Sequence, residues 1–172
     1  FINNKTIEDT KGKVILTFDD AMVCHYDYVF PELEKRGLWG IFYVPTMPYI
    51  ENKMLDVHRV HLLCGAFKGK DLYAELSGLL NDEMIPDYKR DEFRNMTYTR
   101  QENYEGVSEF KRALNYFIDY KYKESIINQI AKKFNYNFDN KSFYVSINNL
   151  IKIKKSGHVI GSHTKSHPVM SK

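Results

Sequence analysis

Val14-Ile-Leu-Thr-Phe-Asp-Asp20 is the stretch that decides the fold class. Its first five residues are an uncharged, mainly apolar run, which is typical of a strand buried on both faces of a parallel sheet. Apolar residues with helical spacing follow between Tyr26 and Leu33, and Gly37 stands where a helix end favours a positive φ. Ile41-Phe-Tyr-Val44 is a second buried run. Strand, helix and strand in this order predict a βαβ unit with parallel pairing.

The middle of the chain has a different pattern, with three apolar stripes at helical spacing. The stripes are Leu72, Leu76, Leu79 and Leu80; Phe110, Leu114, Phe117 and Ile118; and Ile126, Ile127, Ile130 and Phe134. Asp71 and Ser108 are the predicted N-caps of the first two helices. The polar, turn-rich residues from Pro86 to Gly106 are interpreted as a long surface loop. The whole segment is therefore predicted to be a helical insertion.

The strand pattern returns near the end of the chain. Ser146 is the predicted N-cap of a helix that Gly157 closes. His158-Val-Ile-Gly161 is a short third strand, and it leads directly into His163-Thr-Lys-Ser-His167. The expected organisation is a first βαβ unit over residues 1–50, a helical insertion over 51–137, and a return to the first domain over 138–172.

The composition is that of an ordinary folded domain, with 43% hydrophobic and 27% charged residues among 172. The net charge of +3 is small and evenly spread, so it does not indicate nucleic-acid binding. No apolar run approaches the roughly 20 residues that span a bilayer, and no signal peptide is visible. Cys24 and Cys64 alone form no disulfide framework. These features therefore do not indicate a particular cellular compartment.

Two polar clusters follow predicted parallel strands, at the edge where α/β proteins build their sites. Asp19 and Asp20 follow the first strand, and neighbours in an extended chain point to opposite sides, so they can serve two different roles. His163 and His167 are spaced so that a tight loop or one helical turn aims both imidazoles at one point. Asp20 with the two histidines would suit zinc or a similar divalent ion with a position open to water.

Each cluster alone has a simpler interpretation. Adjacent aspartates after a strand are more often turn formers or helix caps, and an H-x-x-x-H pair alone is more often not a metal site. The occurrence of both clusters, each directly after a predicted parallel strand, favours a metal site. His58, His61 and Cys64 form a second candidate metal group, although ordinary helix and core positions explain them better. Cys24 and His25 follow the first cluster closely enough to line a pocket, and burial on a helix face explains them equally well.

The same residues resemble those of a known family. Residues 17–20, Thr-Phe-Asp-Asp, are similar to the first motif of the polysaccharide deacetylases, the NodB-homology or carbohydrate esterase family 4 group. Residues 157–168 look like that family's second motif with its lead-in, and residues 37–45 resemble its second strand. These matches cover about the first and last quarters of the chain.

The resemblance implies a fold, a reaction and a role for each site residue. The family's fold is a distorted (β/α) barrel, and its reaction removes acetyl groups from N-acetylated sugars. By resemblance Asp19 is the general base, while Asp20, His163 and His167 hold the metal. The implied substrate is therefore an N-acetylated carbohydrate, and the implied cofactor is a divalent ion, with zinc as the first choice.

The chain also departs from the family's pattern. The family's base-orienting arginine, oxyanion-hole segment and histidine acid come after the second motif, yet the sequence ends at Lys172. We therefore expect the N-terminal part of a longer enzyme, which is not a closed barrel as given. Its open strand edge would be completed by further sequence or by a homo-oligomer.

Three other functional classes were weighed against the deacetylase. A catalytically silent, carbohydrate-binding domain of the same fold is the alternative that stays open. A D-x-D phosphatase is disfavoured because Asp19 and Asp20 are adjacent. A zinc protease is disfavoured because Thr164 stands where H-E-x-x-H needs its glutamate.

Overall fold

The computed structural model describes residues 14–95 and 104–168. Within these residues the chain is a mixed α/β protein, mostly helical, with one small parallel sheet and no closed barrel. The strands are β1 (Thr17–Phe18), β2 (Ile41–Val44) and β3 (Val159–Ser162). The α-helices are α1 (Phe30–Lys35), α2 (Met47–Ile50), α3 (Asp56–Ala66), α4 (Gly69–Leu79), α5 (Asp87–Asn95), α6 (Val107–Arg112), α7 (Tyr120–Lys133), α8 (Asn140–Phe143) and α9 (Ile147–Lys155). Two π-helical segments, His25–Val29 and Ala113–Phe117, precede α1 and follow α6.

The described residues form two compact units. The first unit contains the residues up to Tyr49 together with Lys141–Lys165, and the second contains Ile50–Asn140 together with the residues from Ser166 onward. The sequence analysis placed the corresponding boundaries after residues 50 and 137. The assignment of the middle segment as an insertion into a deacetylase domain stays a prediction.

The sheet has the strand order β1-β2-β3, and both pairings are parallel. Phe18 lies opposite Phe42, and Phe42 lies opposite Ile160, so these three residues share one face of the sheet. The prediction of parallel pairing between the first two strands is therefore confirmed. Because all three strands run in the same direction, their carboxyl ends meet at one edge.

The first strand is shorter and less buried than predicted. Only Thr17 and Phe18 belong to β1, whereas Val14 and Ile15 are 83% and 50% exposed. Thr17 is exposed as well. The prediction of a doubly buried strand over residues 14–18 is wrong because these side chains are not covered. Among the described residues β1 pairs with β2 alone, so it is also an edge strand of the sheet.

The helices of the first unit cover the face of the sheet that carries Phe42. Its core consists of four buried residues, which are Leu33, Phe42, Val145 and Ile153. Helix α1 ends as predicted at Gly37, whose φ is 61° and whose N–H donates to the Glu34 carbonyl at 3.1 Å. Helix α9 begins as predicted at Ser146, whose hydroxyl accepts the N–H of Asn149 at 3.2 Å. These two ends fix the helices against the sheet.

The second unit is a helical bundle with a larger core. Helices α3 and α4 both pack against α7, and α4 also packs against α6. The core residues are Val60, Leu63, Leu72, Leu76, Phe110, Ala113, Leu114, Ile118, Ile126, Ile127 and Ile130. All three apolar stripes that the sequence analysis identified contribute to this core.

Two predicted N-caps in the second unit are wrong. Helix α4 starts at Gly69, so Asp71 lies in its first turn, and α6 starts at Val107 after Gly106 rather than after Ser108. Gly106 has a φ of 81°, and a Cβ there would lie 2.5 Å from the carbonyl carbon of Gly69. The close approach of two glycines therefore sets where both helices begin, which side-chain capping patterns do not reveal.

The segment predicted as a long loop contains helix α5 over Asp87–Asn95. Arginines hold this region through backbone carbonyls: Arg90 donates to Asp82 at 2.6 Å and Arg112 donates to Phe93 at 2.7 Å. Polar contacts hold this helix in place instead of apolar packing. Its sequence therefore has only a weak version of the apolar stripe that identifies a helix. Residues 96–103 of the predicted loop lie outside the described residues. Among the described helices, none combines the length and the apolar character that crossing a bilayer requires.

Candidate metal centre

The candidate ligands follow the carboxyl ends of β1 and β3. Asp19 and Asp20 come directly after β1, and His163 comes directly after β3. The His163 N–H donates to the Val44 carbonyl at 3.0 Å, which continues the β2–β3 pairing one residue past the strand. His167 follows four residues later. The parallel sheet therefore places residues from distant parts of the sequence at one edge.

Asp20, His163 and His167 form a group that could hold a metal ion. Each side chain offers one ligand atom, and these atoms all lie within 4.8 Å of one another. The Asp20 Oδ1 and His163 Nε2 atoms are 3.4 Å apart. Two ligands on one tetrahedral zinc ion lie roughly 3.3 Å apart, given bond lengths of about 2.0–2.1 Å. That pair is therefore already at the separation expected of two ligands on one ion, and the His167 ligand atom lies within 4.8 Å of both.

The backbone at these ligands has unusual conformations. Asp20 and Ala21 have φ values of 74° and 52°, and Thr164 and His167 have values of 62° and 54°. L-residues rarely adopt positive φ, although Asp, Asn and His do so more often than most. Each such residue costs on the order of 1–3 kcal/mol unless its surroundings hold it. Backbone strain of this kind clusters at functional sites, and here it lies in the two turns that carry the triad.

Asp19 has a different environment from Asp20. Asp19 is exposed, whereas Asp20 is half-buried. Burial lowers the pKa of His25, and the carboxylates of Asp20 and Asp19 partly oppose that shift. Both charges therefore lie close enough to His25 to affect its proton, and only Asp20 belongs to the ligand group.

His25 forms part of an aromatic wall rather than of the ligand group. Its ring centroid lies 5.9 Å from that of Phe18 and 6.3 Å from that of Phe42. The side chain is buried, at 7% exposure. Of the two readings of Cys24 and His25, the structure supports burial for His25, while Cys24 is a half-buried free thiol.

Tyr43 is a residue near the triad that the sequence analysis missed. Its ring lies on Gly161, where an added Cβ would come within 2.6 Å of the ring. The ring centroids of Tyr43 and His163 are 6.1 Å apart. Tyr43 and Gly161 are paired in the β2–β3 register, and this pairing is the signal that could have found the contact. Tyr43 therefore limits where the His163 ring can move.

His158 is fully engaged in the first unit. Its Nδ1 accepts the Gly40 N–H at 3.1 Å, so the proton of the neutral ring lies on Nε2, which faces Glu34 Oε1 at 3.1 Å. The ring thereby links the start of β2 to α1. This histidine has a structural role.

The second candidate group, His58, His61 and Cys64, does not converge. All three lie on α3, with His58 buried, His61 exposed and Cys64 half-buried. They do not form a ligand group among the described residues. Burial raises the pKa of the Cys64 thiol to about 11, so the thiol stays protonated near neutral pH. The simpler interpretation as helix and core residues is the one that fits.

A scan against models of known protein families, a search of the curated proteins and a search of the solved structures each returned no match. The class of protein is therefore defined by the fold and the site alone. It is an α/β protein with a carboxylate and two imidazoles converging at the carboxyl edge of a parallel sheet.

Proposed function

We propose that this chain belongs to a metal-dependent deacetylase that acts on N-acetylated sugars. The observation that carries the proposal is the convergence of Asp20, His163 and His167, whose ligand atoms all lie within 4.8 Å of one another. These residues come from the two motifs that resemble those of the polysaccharide deacetylases. Asp19, the residue that matches the family's general base, is adjacent to the triad in the chain.

The donor set fits a divalent ion, with zinc as the first candidate. One carboxylate oxygen and two imidazole nitrogens are ligands that zinc accepts, and three protein ligands leave a position open. A divalent ion bound there would supply Lewis-acid chemistry, by lowering the pKa of a water molecule and polarising an acetyl carbonyl. Asp20, His163 and His167 would hold it.

The residues around the triad have distinct roles in this proposal. Asp19 is exposed and can reach a water molecule, so its carboxylate accepts the proton that the water loses as it attacks the acetyl group. Tyr43 limits the position of the His163 ring. The aromatic wall of Phe18, His25 and Phe42 lies behind the first motif and keeps water from that side.

Metal titration of single variants tests the ligand assignment. Calorimetric titration with zinc should give one site in the wild-type protein, and Asp20→Ala and His167→Ala should each weaken it by at least about 100-fold, since each removes a direct ligand. The matched controls are Asp27→Ala and His61→Ala, which remove an exposed residue of each type outside the triad. Unchanged zinc affinity in both triad variants would overturn the assignment.

Acetate release from N-acetylglucosamine oligomers tests the reaction. The zinc-loaded protein that carries this chain should release acetate, and Asp20→Ala should abolish the release. Zinc binding through the triad, with binding of the oligomers but no acetate release, would instead identify a catalytically silent domain that binds carbohydrate.

A further inference from the structure

A cavity of about 340 Å³ in the second unit is lined by exposed tyrosines. It lies among α5, the π-helical segment Ala113–Phe117 and the start of α7. Tyr88, Tyr116 and Tyr120 line it, and they are 75%, 44% and 50% exposed. A cavity of this size is within the range of sites for small molecules, roughly 300–1,000 Å³.

The walls of this tyrosine-lined cavity are held in place. The Lys123 ammonium lies 3.9 Å from the centroid of the Tyr120 ring and donates to the Asn115 carbonyl at 3.1 Å. Lys123 itself is only 4% exposed, so it supports the ring from the protein side. The Lys89 ammonium donates to the Tyr116 carbonyl at 2.8 Å. These lysine contacts hold the backbone at Asn115 and Tyr116 and one face of the Tyr120 ring in place.

These three rings lie outside the core of the second unit, whereas Tyr73, Tyr122 and Tyr136 pack against it. One face of the Tyr120 ring contacts the Lys123 ammonium, and Tyr88 is the most exposed of the three. Single exposed aromatic residues are ordinary, whereas here three rings lie around one cavity whose lining also contains Lys89, Glu92, Asn115 and Asp119. Tyrosine offers such a surface together with a hydroxyl, and it is common where a ligand is both apolar and polar.

We propose that the tyrosine-lined cavity binds a neutral saccharide of one or two pyranose rings. The C–H face of a pyranose fits against a tyrosine ring, while its hydroxyls need donors and acceptors around the rim. Lys89, Glu92 and Asp119 line the cavity as one cation and two carboxylates, which disfavours an anionic ligand such as a phosphate. A peptide that binds by adding a β-strand is disfavoured because the residues that line the cavity form no strand edge. A proline-rich peptide needs no strand edge, and the experiment below separates it from a sugar.

This inference does not rest on the proposed deacetylase. None of the cavity residues belongs to the metal triad, and the ligand needs no acetyl group. The two proposals therefore fail separately: zinc titration tests the triad, and sugar titration tests the cavity.

Titration of the intact chain with chitotetraose and with cellotetraose, followed by NMR chemical-shift changes, tests the inference. Wild-type protein should bind at least one of the two sugars. Tyr88→Ala should weaken binding roughly tenfold, whereas Tyr88→Phe should keep most of it because the ring face remains. Tyr28→Ala is the matched control, because Tyr28 is 73% exposed and belongs to the first unit.

Each contrary result overturns the inference. Binding of neither sugar at millimolar concentration would do so, and so would binding that survives Tyr88→Ala or falls equally in Tyr28→Ala. Loss of binding in Asp20→Ala with retention in Tyr88→Ala would assign the sugar to the metal centre. Tighter binding of a proline-rich peptide than of either sugar would assign the cavity to a peptide. Tyr88 is so exposed that its replacement should leave the fold intact, which the urea midpoint checks.

Discussion

Among the described residues, the hydrophobic core cluster of the second unit has eleven buried members, whereas that of the first unit has four. The residues of the candidate site, in contrast, are positioned mainly by the unit with the smaller core. Asp19 and Asp20 follow β1, and His163 follows β3, so they depend on the strands of the smaller core. Of the six non-glycine residues with positive φ in the described part of the chain, four also lie in the two turns after those strands.

This contrast predicts that substitutions in the two regions change different properties, namely stability in one and metal binding in the other. A residue in the larger core contributes mainly to the free energy of unfolding, because its removal leaves a cavity. A residue in the turns after β1 and β3 contributes mainly to ligand geometry, at some cost in backbone strain. The following substitutions test this division, beginning with the largest expected effect.

Asp19→Asn should reduce deacetylation by about 10²–10⁴ while zinc affinity stays within a few-fold of wild type. The substitution removes a proton acceptor but keeps the size of the side chain. Acetate release and zinc titration on the same preparation measure both quantities, with Asp27→Asn as the control. If zinc is lost instead, Asp19 is a ligand and the roles of the two aspartates are reversed.

Phe110→Ala should lower the free energy of unfolding by about 3–5 kcal/mol, since Phe110 is fully buried in the larger core. Urea denaturation measures this, and Ile151→Ala on α9, where the side chain is 46% exposed, should cost much less. Zinc affinity of the folded Phe110→Ala protein should match wild type. A loss of zinc affinity comparable with that of Asp20→Ala would contradict the division between the regions.

Lys123→Met should change how stability depends on pH in the second unit. Burial lowers the pKa of Lys123 to about 8, while Asp56 and Asp119 oppose the shift and Lys89 adds to it. Between pH 8 and the unfolded value near 10.5 the folded state binds fewer protons, so stability rises with pH across this window. The wild type should therefore gain up to about 3 kcal/mol relative to Lys123→Met over that range.

Urea denaturation of both proteins at pH 8 and pH 10.5 measures this difference. Comparing the two proteins removes the contribution of every other lysine and tyrosine. A constant difference across the window would mean that the Tyr120 ring and the Asn115 carbonyl fully compensate for the burial of the ammonium.

Gly161→Ala should weaken zinc binding roughly tenfold, because the added methyl displaces the Tyr43 ring and with it the His163 ring. Gly78→Ala is the matched control, since a Cβ there meets nothing within 4 Å. Adding Tyr43→Ala to Gly161→Ala should restore part of the affinity by making room. Wild-type affinity in Gly161→Ala would show that Tyr43 does not position the ligand.

The sequence predicted the parts of the fold that depend on local signals. The bounds of β2, the cap at Ser146 and the helix ends at Gly37 and Gly157 follow from local residue preferences, and they are confirmed. The convergence of Asp20, His163 and His167 was also predicted, because both motifs stand directly after strands and parallel strands bring their ends together. Metal binding by these residues stays a prediction.

The features that the sequence did not predict depend on contacts between distant residues. The starts of α4 and α6 are set by Gly69 meeting Gly106, and no local pattern records that approach. Helix α5 is tied by arginines to backbone carbonyls instead of by an apolar stripe. Tyr43 was missed because its contact with His163 exists only once the register of β2 and β3 is known.

The left-handed backbone after β1 and β3 restricts how this site can change by mutation. At position 20 the residue must tolerate a φ of 74° and also offer an oxygen, and asparagine is the one other natural residue that readily does both. At position 167, with a φ of 54°, a residue must supply a donor atom without branching at Cβ. A library for altering metal preference is therefore best built with few amino acids at these two positions and many at Asp19 and Tyr43. Variation at the candidate metal centre is accordingly expected at neighbouring positions whose backbone is not left-handed.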